Sequence, residues 1–158
     1  MISLIGLIIL VFIDQVAKRF AETYLKGTEG IDLIPKVFRL QYLENFGAAF
    51  GSLQHATVFF IVLTSACLVV ILCVFVRIPL EKRFVPLQVV AVFFTAGAVG
   101  NFIDRLTHRY VIDFLYFVLI DFPVFNIADI YVTCSSVVFF ILFLFYYKEE
   151  DFSFLKRG

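Results

Sequence analysis

Four stretches of mostly apolar residues, each about twenty long, divide this chain, and that is the length a helix needs to cross a bilayer. They run over residues 2–25, 56–76, 86–106 and 127–147. The second stretch carries no charge at all. Over the 158 residues, 62% are hydrophobic and 16% are charged, against about a quarter charged in an ordinary soluble chain. These lengths and this balance predict one polytopic membrane domain with loops at 26–55 and 107–126. A backbone in lipid must satisfy its own hydrogen bonds, so the spans are expected to be helices. The first stretch has no basic start and no small-residue cleavage site, so it reads as a retained helix and not as a signal peptide.

Lys and Arg set the expected orientation. Arg77, Lys82 and Arg83 crowd the short link between the second and third spans, and Lys148, Lys156 and Arg157 mark the tail. Lys26, Lys36, Arg39 and Arg109 are spread more thinly over the other side. Both termini are therefore expected in the cytoplasm. In the first outer loop, residues 31–35 and 37–43 alternate partly between apolar and polar, which fits short strands lying on the membrane surface.

A formal net charge of zero gives no sign of nucleic-acid binding. Cys67, Cys73 and Cys134 are odd in number and lie within apolar segments, which argues against a disulfide framework. His55 and His108 have no cysteine nearby in sequence, so a zinc site is not expected. The thiols read as small apolar residues.

The polar residues inside the spans carry the functional information, because an ionisable group there is costly. Asp14 and Lys18 are four apart and share a helix face. They read either as a mutually neutralising pair or as a substrate contact. In Asn45-Phe46-Gly47-Ala48-Ala49-Phe50-Gly51 only Asn45 has clear recognition capacity, and the small residues allow a close backbone approach. Ala96 to Gly100 forms a small-residue packing surface. Asn101, Asp104 and Arg105 follow on one face, with Asp104 read as structural and Arg105 as facing a ligand. Asp113 and Asp129 lie near the expected membrane boundary, sixteen residues apart with Pro123 between them. They can converge only if the loop folds back. Taken singly, Asp113 reads as a loop carboxylate. Asp129 reads as a first-turn helix acid behind an Asn126 cap. Taken as a pair, they point to shared-proton chemistry. Asp121 reads as a solvated loop residue.

Five segments in order resemble the lipoprotein signal peptidases, or signal peptidase II, of bacteria: Asp14-Gln15-Val16-Ala17-Lys18, Asn45 to Phe50, Gly97 to Arg105, Val111-Ile112-Asp113-Phe114 and Phe125-Asn126-Ile127-Ala128-Asp129. The resemblance covers nearly the whole chain. It implies an all-α membrane protein of four transmembrane helices with a small β-like extracytoplasmic platform in the first loop, the whole of 1–158 forming one peptidase domain. It implies an aspartyl endopeptidase of the bacterial cytoplasmic membrane, with Asp113 and Asp129 as the catalytic pair near the outer face. Substrate contact or site support falls to Asp14, Lys18, Asn45, Gly47, Asn101, Asp104, Arg105 and Asn126. Its substrates are prolipoproteins cut just before a diacylglyceryl-modified cysteine. Membrane lipids are the other partners, the protein is expected to be a monomer, and no metal or organic cofactor is expected. Two departures stand out: Ala96-Gly97 where many members have Gly-Gly, and Ile130 where many have Ser. The competing reading is a small transporter or proton conductor, which also uses intramembrane charges. An inert lipoprotein chaperone would require the aspartate pair to be replaced.

Overall fold

A computed structural model describes residues 2–47 and 56–156. Within them lie four helices: α1 (Ile2–Leu25), α2 (Thr57–Phe75), α3 (Val85–Thr107) and α4 (Ile127–Phe145). Three strands, β1 (Ile31–Ile34), β2 (Phe38–Asn45) and β3 (Val111–Phe117), form an antiparallel sheet in the order β1-β2-β3. Ala48 to Gly51 of the Asn45–Gly51 segment, and His55, lie outside the described residues. Three helices are long and apolar enough to cross a membrane: α2, α3 with the short 3-10 turn before it, and α4. The first half of α1 is apolar too, but Asp14, Lys18, Arg19 and Glu22 crowd its second half.

Local chemistry sets the boundaries. Thr28 N–H donates back to Leu25 O after α1, and Gly27 takes the left-handed conformation that commonly ends a helix. Gly30 is also left-handed, and a Cβ there would overlap the carbonyl of Leu40 on the neighbouring strand. Pro86 sits in the first turn of α3, where its missing N–H has no helical partner to lose. Asn126 and Asp129 form a reciprocal capping box that starts α4.

The sheet corrects the expectation of an all-α chain with β structure in the first loop alone. The third strand comes from the second loop. Val111, Ile112 and Asp113 pair with Asn45, Glu44 and Leu43, and Leu115 pairs with Leu40 across a register shift. Asp113 is thus a strand residue, not a loop carboxylate. Phe125 closes the loop by pairing with Leu115.

Helix α3 is central and packs against α1, α2 and α4. Its small residues permit this. A Cβ on Gly97 would strike the Ala128 carbonyl and Val132 of α4, and one on Gly100 would strike the Asp14 carboxylate of α1. Two apolar clusters hold the ends. Ala21, Leu25, Ile112 and Phe114 join α1 to the sheet. Ile78, Phe84, Leu87, Tyr147 and Phe154 close the other end. Outward, Leu4, Ile8, Phe12, Val62, Val69 and Phe140 are all more than half exposed. An apolar surface of that extent requires a nonaqueous cover.

Packing at Gly97 leaves no room for a methyl group, so Gly97→Ala is expected to lower stability by about 1–3 kcal/mol. Gly6, whose nearest neighbour to an added Cβ is 3.9 Å away, should tolerate alanine and gain about 0.5–1 kcal/mol from helix propensity. Unfolding of the two variants in the same detergent checks both signs.

Candidate active site

The site is built on a buried ion cluster. Lys18 Nζ lies 3.0 Å from Asp14 Oδ2 and 2.9 Å from Asp104 Oδ2, and donates to Asn101 Oδ1 at 2.9 Å. Lys18 is 2% exposed, Asp14 0% and Asp104 1%. Two carboxylates surround one ammonium, and the remaining acceptors are all occupied. Asp14 Oδ1 accepts from Ala128 N–H at 2.9 Å, at the positive end of the α4 dipole. Asp104 Oδ2 accepts from Ile112 N–H at 3.1 Å, which anchors β3. Gln15 Nε2 donates to Asp104 Oδ1 at 3.0 Å, and to Asp14 Oδ2 and Gly100 O at 3.2 Å. The cluster ties α1, α3, α4 and β3 together at one end of the bundle.

Asp113 and Asp129 lie directly beyond it. Asp113 is 1% exposed and accepts from Asn45 Nδ2 at 2.8 Å and from Asn126 Nδ2 at 2.7 Å. Asp129 accepts from Asn101 Nδ2 at 2.8 Å and from Asn126 N–H at 3.1 Å. Asn126, fully buried, therefore touches both carboxylates, one through its amide and one through its backbone. It also donates to Asn101 Oδ1 at 3.1 Å. Burial, and then the negative charge of Asp129, push Asp113 up to about 7, against the pull of Asn45, Asn126 and Lys18.

Both carboxylates open onto one cleft of about 900 Å³. Asn45, Gly47, Asn101 and Arg105 line it beside them. The Arg105 guanidinium has only long contacts, 3.5 Å each to Asn101 O and Gly47 O, and lies 4.8 Å from the Phe60 ring centroid. Among the described residues it has no ion-pair partner, so its charge is available to the cleft. Along α4 the wall continues through Ile130, Thr133 and Cys134. On the sheet side it consists of Gln41, Glu44, Tyr116 and Asp121.

The structure thus gathers all ten residues singled out in the sequence at one end of the bundle, in two layers. Asp14, Lys18, Asp104 and Asn126 do not line the cleft; they hold what does. The burial of Asp14 and Lys18 selects the neutralising pair over the direct substrate contact. Three participants escaped the sequence reading. Gln15 was signalled by its place beside Asp14 in an apolar helix. Tyr116 and Asp121 carried no such signal, and Asp121 is a cleft-wall residue where a plain loop residue was expected. Within the described residues no group of His, Cys, Asp and Glu is arranged to hold a metal ion.

An apolar helical bundle with a carboxylate pair lining a cleft at one end defines the class as a membrane protein with a polar site at the end of its helices. The model of the signal peptidase (SPase) II family matches residues 6–145. A lipoprotein signal peptidase of Brevibacillus brevis is 41% identical over 79% of this chain and 83% of its own length. One from Streptococcus pyogenes serotype M1 is 35% identical over 94% of each chain. A solved bacterial membrane enzyme superposes with a TM-score of 0.79 at 31% identity, covering 92% of this chain and 94% of its own. A second solved structure gives 0.77 at 32% identity, over 90% and 87%. The chain belongs to the signal peptidase II family and is a protease of the bacterial membrane.

Removing the ammonium from the buried cluster strands two carboxylates. Lys18→Met is expected to cost about 3–5 kcal/mol, the range for breaking a buried ion pair from one side. Chemical unfolding in detergent reads the loss, and adding Asp14→Asn to Lys18→Met should recover part of it.

Proposed function

We propose that this protein is an aspartic endopeptidase that removes the signal peptide from diacylglyceryl-modified prolipoproteins, cutting immediately before the lipidated cysteine. The observation that carries the reading is the pair Asp113 and Asp129, delivered by a strand and a helix to one cleft and joined through Asn126. The names of the relatives support the substrate class.

Two close carboxylates do not both ionise cheaply, so the pair holds one proton and titrates as a unit. Asp129 sits in the first turn of α4, where the helix dipole favours negative charge. Asp113, pushed up to about 7, keeps the proton near neutrality. A water between them loses a proton to Asp129 as its oxygen attacks the scissile carbonyl carbon. Asp113 donates its proton to the carbonyl oxygen. The tetrahedral diol then collapses: the C–N bond breaks, the proton held by Asp129 passes to the leaving amine, and one diol hydroxyl returns its proton to Asp113, which leaves a carboxylic acid and the pair in its starting state. Arg105, Asn45 and Gly47 position the substrate backbone. Asn101 and Asn126 hold the carboxylates, and the Asp14–Lys18–Asp104 cluster holds Asn101 and the two elements that carry the pair. No metal or organic cofactor takes part.

In this reading α1 is the fourth membrane span, with Asp14 and Lys18 neutralised inside the bundle and Arg19 paired with Glu22 on its surface. Residues 1–158 form one domain, both ends of the chain face the cytoplasm, and the cleft lies near the outer face. The lysine and arginine distribution supports that orientation. The protein acts as a monomer surrounded by lipid. A proton conductor is disfavoured by one observation. Within α1, α3 and α4 the charged residues are confined to the half nearer the sheet, and α2 has none. A relay places ionisable groups through the depth of the bilayer.

The test is cleavage of a purified diacylglyceryl prolipoprotein in detergent, with product mass fixing the cut. Wild type should release a chain that starts at the lipidated cysteine. Asp113→Asn and Asp129→Asn, each shown to be folded by thermal melting, should lose at least about a hundredfold in kcat/KM. Since Asp113 must be protonated, the wild-type rate should decline as pH rises above about 7. A folded variant that cuts at the wild-type rate contradicts the proposal.

A further inference from the structure

The cleft has two arms, and only one suits an apolar segment. Ile130, Thr133 and Cys134 extend it along α4, beside the lipid-facing surface of the bundle. Gln41, Glu44, Tyr116 and Asp121 extend it along the sheet and the second loop, outside the helices. A signal segment lying in the bilayer occupies the α4 arm, so the chain that follows the cut leaves along the sheet arm.

The charges in the sheet arm do not cancel. Glu44 is taken by Lys26, whose Nζ is 2.9 Å from Oε1. Arg39, the cross-strand partner of Tyr116, is locked onto Asp32 through two contacts of 2.6 and 3.2 Å. Asp121 accepts a hydrogen bond from the Tyr116 hydroxyl at 2.6 Å. Among the described residues it has no cation within 4.0 Å. The tyrosine orients this carboxylate and leaves its charge in place. The backbone fixes it as well. Asp121 is left-handed, with φ 48°, and Phe122 N–H returns to Phe117 O at 3.1 Å.

We propose that Asp121, oriented by Tyr116, selects substrates by the charge of the first residues after the lipidated cysteine, favouring basic side chains and disfavouring acidic ones. This rests on the peptidase reading. An exposed ion pair changes an equilibrium by up to about fivefold, and exchanging a basic for an acidic residue turns attraction into repulsion. The expected preference for lysine over aspartate is therefore about fivefold or more at low salt, shrinking as ionic strength rises.

Three lipidated prolipoproteins that differ only in the two residues after the cysteine, Lys-Lys, Ser-Ser and Asp-Asp, test this by their kcat/KM ratios. Wild type should rank them in that order. Asp121→Asn and Asp121→Gly, both compatible with a left-handed backbone, should bring the Lys-Lys to Asp-Asp ratio close to one. Tyr116→Phe should shrink it in part. Glu29→Gln, which removes a carboxylate outside the cleft, should leave it at the wild-type value. Equal rates on all three substrates, or a ratio that survives both Asp121 variants, overturns the inference and leaves the peptidase standing. No cleavage of any substrate by wild type overturns both.

Discussion

One ammonium group organises the whole upper end of this molecule. Lys18 is out of reach of water, yet it contacts Asp14, Asp104 and Asn101 at about the same distance. Charges taken out of water cost several kcal/mol each, so such a cluster persists only when every acceptor is used. Here the two spare carboxylate oxygens take Ala128 N–H at the start of α4 and the Gln15 amide, and the Asp104 oxygen that pairs with Lys18 also takes Ile112 N–H of β3. Small residues are a condition of this arrangement, since a side chain at Gly100 would occupy the space of the Asp14 carboxylate.

The same network continues into the cleft. Asn101 accepts from Lys18 with its oxygen and donates to Asp129 with its nitrogen. Asn126 accepts from the Asp129 backbone and donates to Asp113. Helix capping and orientation of the pair are thus one set of hydrogen bonds, and the two readings of Asp129, helix acid and reacting acid, are compatible. Asymmetry enters through surroundings. Asp113 is buried on a strand between the amides of Asn45 and Asn126, while Asp129 lies at a helix N-terminus. Two identical side chains are thereby set to hold one proton unequally.

The helices were legible because apolar length in a bilayer is a coarse, one-dimensional signal. Residues 56–76 became Thr57–Phe75, and 127–147 became Ile127–Phe145. The β1–β2 hairpin was legible from its alternation, and the start of α4 from the Asn126 cap and the first-turn Asp129, although the return bond from the Asp129 side chain to the Asn126 backbone was not. The third strand was not. Val111 to Phe114 are buried whichever side they point to, so no alternation marks them, and their partners on β2 lie far away in sequence. Asp113 in the middle further disguised a strand as a loop. Asp121 was missed for a related reason: its membership of the cleft wall is created by the fold of residues 111–125 back onto β2, which no local pattern encodes. The buried Asp14–Lys18 pair was visible as a pair, but its third member, Asp104, could be joined to it only by the crossing of α1 and α3.

The central claim is that Asp113 and Asp129 share a single proton near neutral pH, held on Asp113. Infrared difference spectroscopy of the folded protein measures this directly, through the carbonyl stretch of a protonated carboxylic acid. Spectra of wild type at pH 6 minus pH 8 should contain one such band that is absent from Asp113→Asn. A wild-type difference spectrum without that band, or one that Asp113→Asn leaves unchanged, would contradict the shared proton and the mechanism built on it.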